Sequence, residues 1–177
     1  MSALFKTLAV VFALVFVAGC STSSEPVVVD QSAINQLKIK NLSHPGKLIY
    51  ASGQPTQDEF RGLAQAGIKH VINLRPAQEQ EWNEAEFVQS LGVEYHSLPV
   101  AGAAGITTEN AASLAELIAA VNGEPVLVHC SSSNRVGALI ALGEWMRGAR
   151  VDEAIATGKE WGLTRLESVV REISVTP

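Results

Sequence analysis

The 177-residue sequence has only two cysteines, Cys20 and Cys130, and no aspartate anywhere between Asp58 and Asp152. Two thiols are too few for a disulfide-stapled scaffold. Positive charge is also short: 13 Lys and Arg stand against 18 Asp and Glu for a net charge of -5. The basic residues form no stripe, which excludes nucleic acid as an expected partner. Aromatic residues make up 6% of the chain, and Trp82, Trp145 and Trp161 read as packing residues rather than as a substrate platform. His44, His70 and His96 are dispersed too widely along the chain for a metal site, so neither metal nor cofactor is expected. Long apolar runs are missing apart from Leu8 to Val17, which is too short to stay across a bilayer.

That run follows one positive charge at Lys6 and stops at Val17-Ala18-Gly19-Cys20. Residues 1–19 therefore read as a signal peptide. Val17-Ala18-Gly19-Cys20 resembles the bacterial lipobox, which implies an acylated Cys20 at the mature N-terminus and anchorage to a membrane. Several acyl chains together anchor a protein stably, whereas one binds marginally. Ser21 resembles the residue that sends such proteins to the outer membrane, implying a cell-envelope location on its periplasmic face. Residues 20–40, Ser-rich and then Val-rich, read as a lipidated tether. The stretch 41–177 is long enough for one domain with a proper core. With Cys20 acylated, Cys130 has no disulfide partner in the chain. A lone thiol in an oxidising compartment points to chemistry, while a buried core thiol is the bland alternative.

Apolar strands and amphipathic helices alternate along the rest of the chain. Strands are expected over 48–51, 70–74, 93–98 and 125–129, the last an apolar run behind Pro125 that suits a buried central strand. Helices are expected from a Thr56-x-x-Glu59 capping box to Gly67, over 78–91, from Thr107 or Thr108 to about Val121, and from Val136 to Arg147. Two more are expected near the end, one capped by Asp152 and one opened by a second box, Thr164-x-x-Glu167. This order implies an α/β fold with a mostly parallel central sheet and helices on both faces. In such sheets ligands bind beyond the carboxyl ends of the strands, where Cys130 falls.

The segment His129-Cys130-Ser131-Ser132-Ser133-Asn134-Arg135 joins the central strand to the next helix. A tight turn there would gather backbone N–H groups of Ser131, Ser132, Ser133 and Asn134 around the helix N-terminus and cradle a tetrahedral oxyanion without a metal. Arg135 adds a planar fork for two oxygens. The same field favours the thiolate of Cys130, the nucleophilic form.

This element resembles the signature of cysteine-dependent phosphatases of the dual-specificity type, with four residues between Cys130 and Arg135 where most of them have five. A bacterial family of phosphatase-like domains, some fused to β-lactamase-like hydrolases, has the shorter loop. The resemblance to that family extends upstream through Ala51-Ser52-Gly53-Gln54-Pro55-Thr56, Ala66-Gly67-Ile68, Val71-Ile72-Asn73-Leu74-Arg75-Pro76 and Leu98-Pro99-Val100. It implies a dual-specificity phosphatase-like fold and hydrolysis of a phosphorylated small molecule or protein, phosphotyrosine included. Cys130 would attack phosphorus, Arg135 and the loop amides would hold the transition state, and His129 would tune the thiolate through its ring.

Such enzymes usually take a leaving-group proton from an Asp on a separate loop, yet the Pro99–Thr107 segment is free of acidic residues. Glu79, Glu81 and Glu109 read first as solvated surface carboxylates and otherwise as substitutes, Glu79 being the favoured one because it follows Asn73-Leu74-Arg75-Pro76. Arg75 either reaches the site or caps a surface pair. Loss of an acid would cost about 10² to 10⁴ in rate, less for aryl phosphates. Ser133 stands where related loops often have Gly, and positive φ there would cost about 1 kcal/mol. Val136 replaces a hydroxyl that often follows the arginine. Two other readings stay open: a rhodanese-like sulfurtransferase with a Cys130 persulfide, and a non-catalytic phosphate- or sulfate-binding module.

Overall fold

The computed structural model describes residues 28–175, so the leader over 1–19 and Cys20 lie outside the described residues. Four strands, β1 (Ile49–Ser52), β2 (His70–Asn73), β3 (Glu94–Ser97) and β4 (Val126–His129), form one all-parallel sheet in the order β1-β4-β2-β3. Seven α-helices are described around it: α1 (Gln31–Gln36), α2 (Gln57–Gln65), α3 (Glu84–Ser90), α4 (Thr108–Ala120), α5 (Asn134–Met146), α6 (Val151–Glu160) and α7 (Glu167–Val175). None of these is long and apolar enough to cross a membrane.

Strand alternation sorts the core into two layers. On one face Ala51, Ile72, Val126 and Val128 pack with Leu114 of α4, Leu139 of α5, Ile155 of α6 and Val170 of α7. On the other, Tyr50, Val71 and Leu127 pack with Ile34 of α1, Phe60 and Leu63 of α2 and Val88 of α3. β4 is buried at all four positions because it has a strand on each side and helices above and below. The expected doubly covered α/β sheet is the one observed.

Several local expectations need correction. The tether expected over 20–40 belongs in its second half to the packed domain: Asp30 caps α1, and Ile34 and Ile39 are buried against α2 and β1 residues. The helix expected over 78–91 is two pieces, a 3-10 turn at Ala77–Glu79 and α3, because Asn83 accepts from Glu86 N and starts the helix afresh. α5 begins at Asn134 rather than Val136. Arg150, not Asp152, is the cap of α6, with the Glu153 carboxylate accepting its backbone N–H at 3.2 Å. Thr164 does not open a box with Glu167, since its N–H and hydroxyl both go to Asn134 Oδ1. The Thr56–Glu59 box at α2 is present on both sides.

The parallel pairing of β2 with β3 also overturns the reading of the histidines as too dispersed. His70 registers with Glu94, and His96 lies two residues along the same strand face, so the two rings meet. Separation in sequence says nothing about neighbouring strands of one sheet.

Candidate active site

β4 ends at His129 and α5 starts at Asn134, so Cys130 to Ser133 make the whole turn. Ser133 takes φ 64 and ψ -12, the left-handed conformation that the sequence comparison with glycine anticipated. Its hydroxyl donates to Trp161 O at 2.9 Å, offsetting part of the backbone strain. Gly162 lies against it: a Cβ there would sit 2.6 Å from Ser133 Cβ. The Asn134 side chain turns away from the turn, accepting from Thr164 N (2.8 Å), Thr164 Oγ1 (3.1 Å) and Leu166 N (3.4 Å). Asn134 Oδ1 is therefore committed to the segment after α6. Asn41 Nδ2 donates to Ser132 O at 3.0 Å, and Gly53 bridges to Ser132 from the end of β1. A Cβ on Gly53 would come 3.1 Å from Ser131 O and Lys40 O, so a larger residue would push the turn outward.

Cys130 is 1% exposed and is a free thiol. Arg135, 7% exposed, is the second residue of α5 and its side chain reaches back to the loop. Its Nη1 donates to Val100 O (2.7 Å) and Glu79 Oε1 (2.9 Å), its Nη2 to Glu79 Oε2 (2.6 Å) and Ser131 Oγ (2.8 Å). Burial pulls the guanidinium down, but the hydrogen bonds with Glu79 and the charges of Cys130 and Glu79 outweigh it and hold Arg135 above its ordinary value. The Glu79 carboxylate thus occupies the fork in the bidentate manner a phosphate would. It also accepts from Ser131 Oγ at 3.1 Å.

Hydrogen bonds from Arg135 keep the Glu79 carboxyl below its ordinary value, against the opposing effect of burial, with Ser131 and the charge of Arg75 helping. Glu79 in this arrangement is an ion-pair partner and not a proton donor. Arg75 does reach the site. Its guanidinium donates to Gln54 Oε1 and to the Glu79 carbonyl, and its Nε stands 3.7 Å from Glu79 Oε2. Glu81 lines an adjoining depression with Gln54, Arg75, Trp82 and Ser131. Glu109 stays at the start of α4, its exposed carboxyl lowered by its own backbone N–H and the Thr107 hydroxyl.

His129 does not make the expected ring contact with the thiol. Alternation along β4 sends its ring to the face of Leu127, 5.7 Å from the Phe60 ring, where Nε2 donates to Glu84 Oε1 at 2.9 Å and Nδ1 has no partner among the described residues. Glu84 is 2% exposed and is the centre of a buried network. Its Oε1 also accepts from Asn73 Nδ2 (2.7 Å) and Tyr95 OH (3.2 Å), and its Oε2 from Gln54 Nε2 (2.5 Å). Burial pushes the carboxyl up, yet the hydrogen bond and charge of His129, with Gln54 and Tyr95, keep Glu84 below its ordinary value. Burial pushes the Tyr95 phenol up. Four donors on one carboxylate make its charge tolerable in the interior.

Sequence reasoning missed Glu84, Tyr95 and Arg165. Glu84 was hidden in an apparently amphipathic helix; Gln54 and Asn73 stood in quoted motifs but without a role. Arg165 lines a cleft of about 310 Å³ together with Glu79, Gly102, Ser131, Ser132 and Arg135. It makes no ion pair among the described residues, so the mouth of the cleft presents an unspent positive charge.

A family model described as a DSP-PTPase phosphatase fused to NAD+ kinase matches residues 26–169. The chain is 39% identical over 117 residues to a β-lactamase hydrolase-like protein of Xylella fastidiosa, an alignment covering 63% of this chain but 27% of that one. It thus spans about a quarter of the length of that relative. Its fold is similar to a solved Neisseria meningitidis protein described as a phosphatase, with TM-score 0.61 and 26% identity over 74% of this chain and 94% of that one. It is also similar in fold to Pseudomonas aeruginosa TpbA, solved with a cysteine-to-serine replacement and phosphotyrosine: TM-score 0.60, 18% identity, 86% of this chain and 91% of that one.

Proposed function

The chain belongs to the DSP-PTPase phosphatase family described by its fusion to NAD+ kinase, and on that premise we propose that it hydrolyses phosphomonoesters through Cys130. The observation that carries this reading is the bidentate carboxylate on Arg135, which stands in for two phosphate oxygens at the floor of an open cleft. A substrate phosphate displaces Glu79 from Arg135 and takes its place. Cys130 Sγ then forms a bond to phosphorus as the ester oxygen leaves, taking its proton from solvent. The N–H groups at the start of α5, which lack intrahelical acceptors, share the equatorial oxygens with Arg135. Water cleaves the thiophosphoryl bond, returning the thiolate and inorganic phosphate.

No acidic residue among those described stands ready as a donor to the leaving oxygen, which favours aryl phosphates such as phosphotyrosine, whose leaving groups need little help. Arg165 at the rim suits a substrate carrying further negative charge. Lipid anchorage at Cys20 on the periplasmic face of the outer membrane belongs to the same proposal. Metabolic labelling with a palmitate analogue, lost in Cys20→Ala, would test it.

A second reading is favoured by one feature, the four-residue loop between Cys130 and Arg135: a rhodanese-like transfer of sulfur through a Cys130 persulfide. Hydrolysis of p-nitrophenyl phosphate by the chain, by Cys130→Ser and by Arg135→Ala separates the two. Hydrolysis abolished by both substitutions is the expected result. No hydrolysis, with cyanide-dependent sulfur transfer from thiosulfate, would replace the proposal by the second reading. No turnover with phosphate still bound would leave a binding module.

A further inference from the structure

We infer that His70, Glu94 and His96 form a zinc site at the end of the sheet opposite Cys130. His70 is the first residue of β2 and Glu94 the first of β3, whereas Cys130 follows the last residue of β4. In an all-parallel sheet these are opposite ends. The site is therefore independent of the phosphatase reading.

The three donor atoms already converge. His70 Nδ1 lies 3.3 Å from His96 Nε2 and 3.5 Å from Glu94 Oε2, and His96 Nε2 lies 4.0 Å from the same oxygen. Zinc holds imidazole nitrogens and carboxylate oxygens at about 2.0–2.2 Å in a tetrahedron, so its ligand atoms stand about 3.3–3.6 Å apart. Two of the three separations fall in that range, and the third closes by a few tenths of an ångström through the exposed Glu94 side chain. The nitrogen-rich set, whose donor separations match tetrahedral rather than right angles, suits zinc better than copper(II), which prefers a square arrangement.

Glu124 supplies the outer support such sites normally have. Its Oε2 accepts from His70 Nε2 at 2.9 Å, which fixes the proton on that nitrogen and leaves the Nδ1 lone pair aimed at the gap. His96 would carry its proton on Nδ1, releasing Nε2 to the ion. The His70 side chain is 7% exposed, that of His96 27% and that of Glu94 73%. The ion thus has one buried ligand to define the position, two reachable ones and a fourth place for water. It would tie β3, which among the described strands pairs with β2 alone, to β2 and, through Glu124, to the turn before β4.

The test uses the full chain, stripped with a chelator and titrated with zinc, reading bound metal after desalting and Tm. Cys130→Ser, His96→Ala and Glu94→Gln are run beside it, with circular dichroism to confirm that each folds. The expected result is a single tightly bound zinc and a raised Tm in the wild type and in Cys130→Ser, with binding at least about tenfold weaker in His96→Ala and in Glu94→Gln. Absence of saturable zinc, undiminished binding in His96→Ala or Glu94→Gln, or loss of binding in Cys130→Ser would each overturn it. In those cases the cluster is a pair of histidines held by carboxylates alone, or the thiol is the metal ligand.

Discussion

At the scale of single residues, Glu79 carries the sharpest distinction. If it competes with substrate for Arg135, Glu79→Gln removes an ion pair contributing about 1 kcal/mol and lowers KM for an aryl phosphate about fivefold, with kcat little changed. If it were the general acid, kcat would fall by about 10² to 10⁴ instead; steady-state kinetics tells the two apart. Ser133 offers a second comparison. Ser133→Ala loses the bond to Trp161 O while keeping the left-handed backbone, and is expected to destabilise by about 1 kcal/mol. Ser133→Gly loses the same bond but relieves the strain, so its urea midpoint should stay close to wild type. The expectation of positive φ at Ser133 came from a resemblance to glycine-bearing loops. The hydroxyl's partner 28 residues away could not be read that way.

At the scale of elements, the anion turn is held by what packs behind it. α5 and α6 approach closely at Gly137 and Gly158, where a Cβ on Gly137 would lie 2.2 Å from Leu163 N and 2.4 Å from Gly158 O. Gly137→Ala must push α6 and the Leu163–Leu166 segment away, breaking the Asn134 contacts to Thr164 and Leu166. A loss of about 1–3 kcal/mol in urea unfolding is expected, with a fall in phosphatase activity. The elements themselves were largely legible: every expected strand exists, because runs of β-branched and apolar residues behind Gly or Pro have few other uses. The helix expected over 78–91 failed for a physical reason. Glu79 is drawn to Arg135 and Glu84 to His129 on the other face of the sheet, and an unbroken helix could not serve both.

At the scale of the whole molecule, the buried Glu84 network couples β2, β3, β4, α3 and, through Gln54, the segment after β1, so its ionisation is a property of the fold. Because the folded carboxyl is held below its ordinary value, its contribution is fully present above that ordinary value and is lost as pH falls through the lower folded one. Glu84→Gln is therefore expected to destabilise by about 1–3 kcal/mol at neutral pH, with a smaller deficit in acid, as read by urea unfolding at both. By itself the sequence determined the α/β alternation and the Cys130–Arg135 turn, since hydrophobic period and short-range spacing are local quantities. Only the tertiary structure decided that Glu79 fills the anion fork, that His129 belongs to Glu84 rather than to Cys130, and that His70 meets His96. Each of those pairs is joined by strand order and by the face a side chain leaves from, which no local pattern encodes.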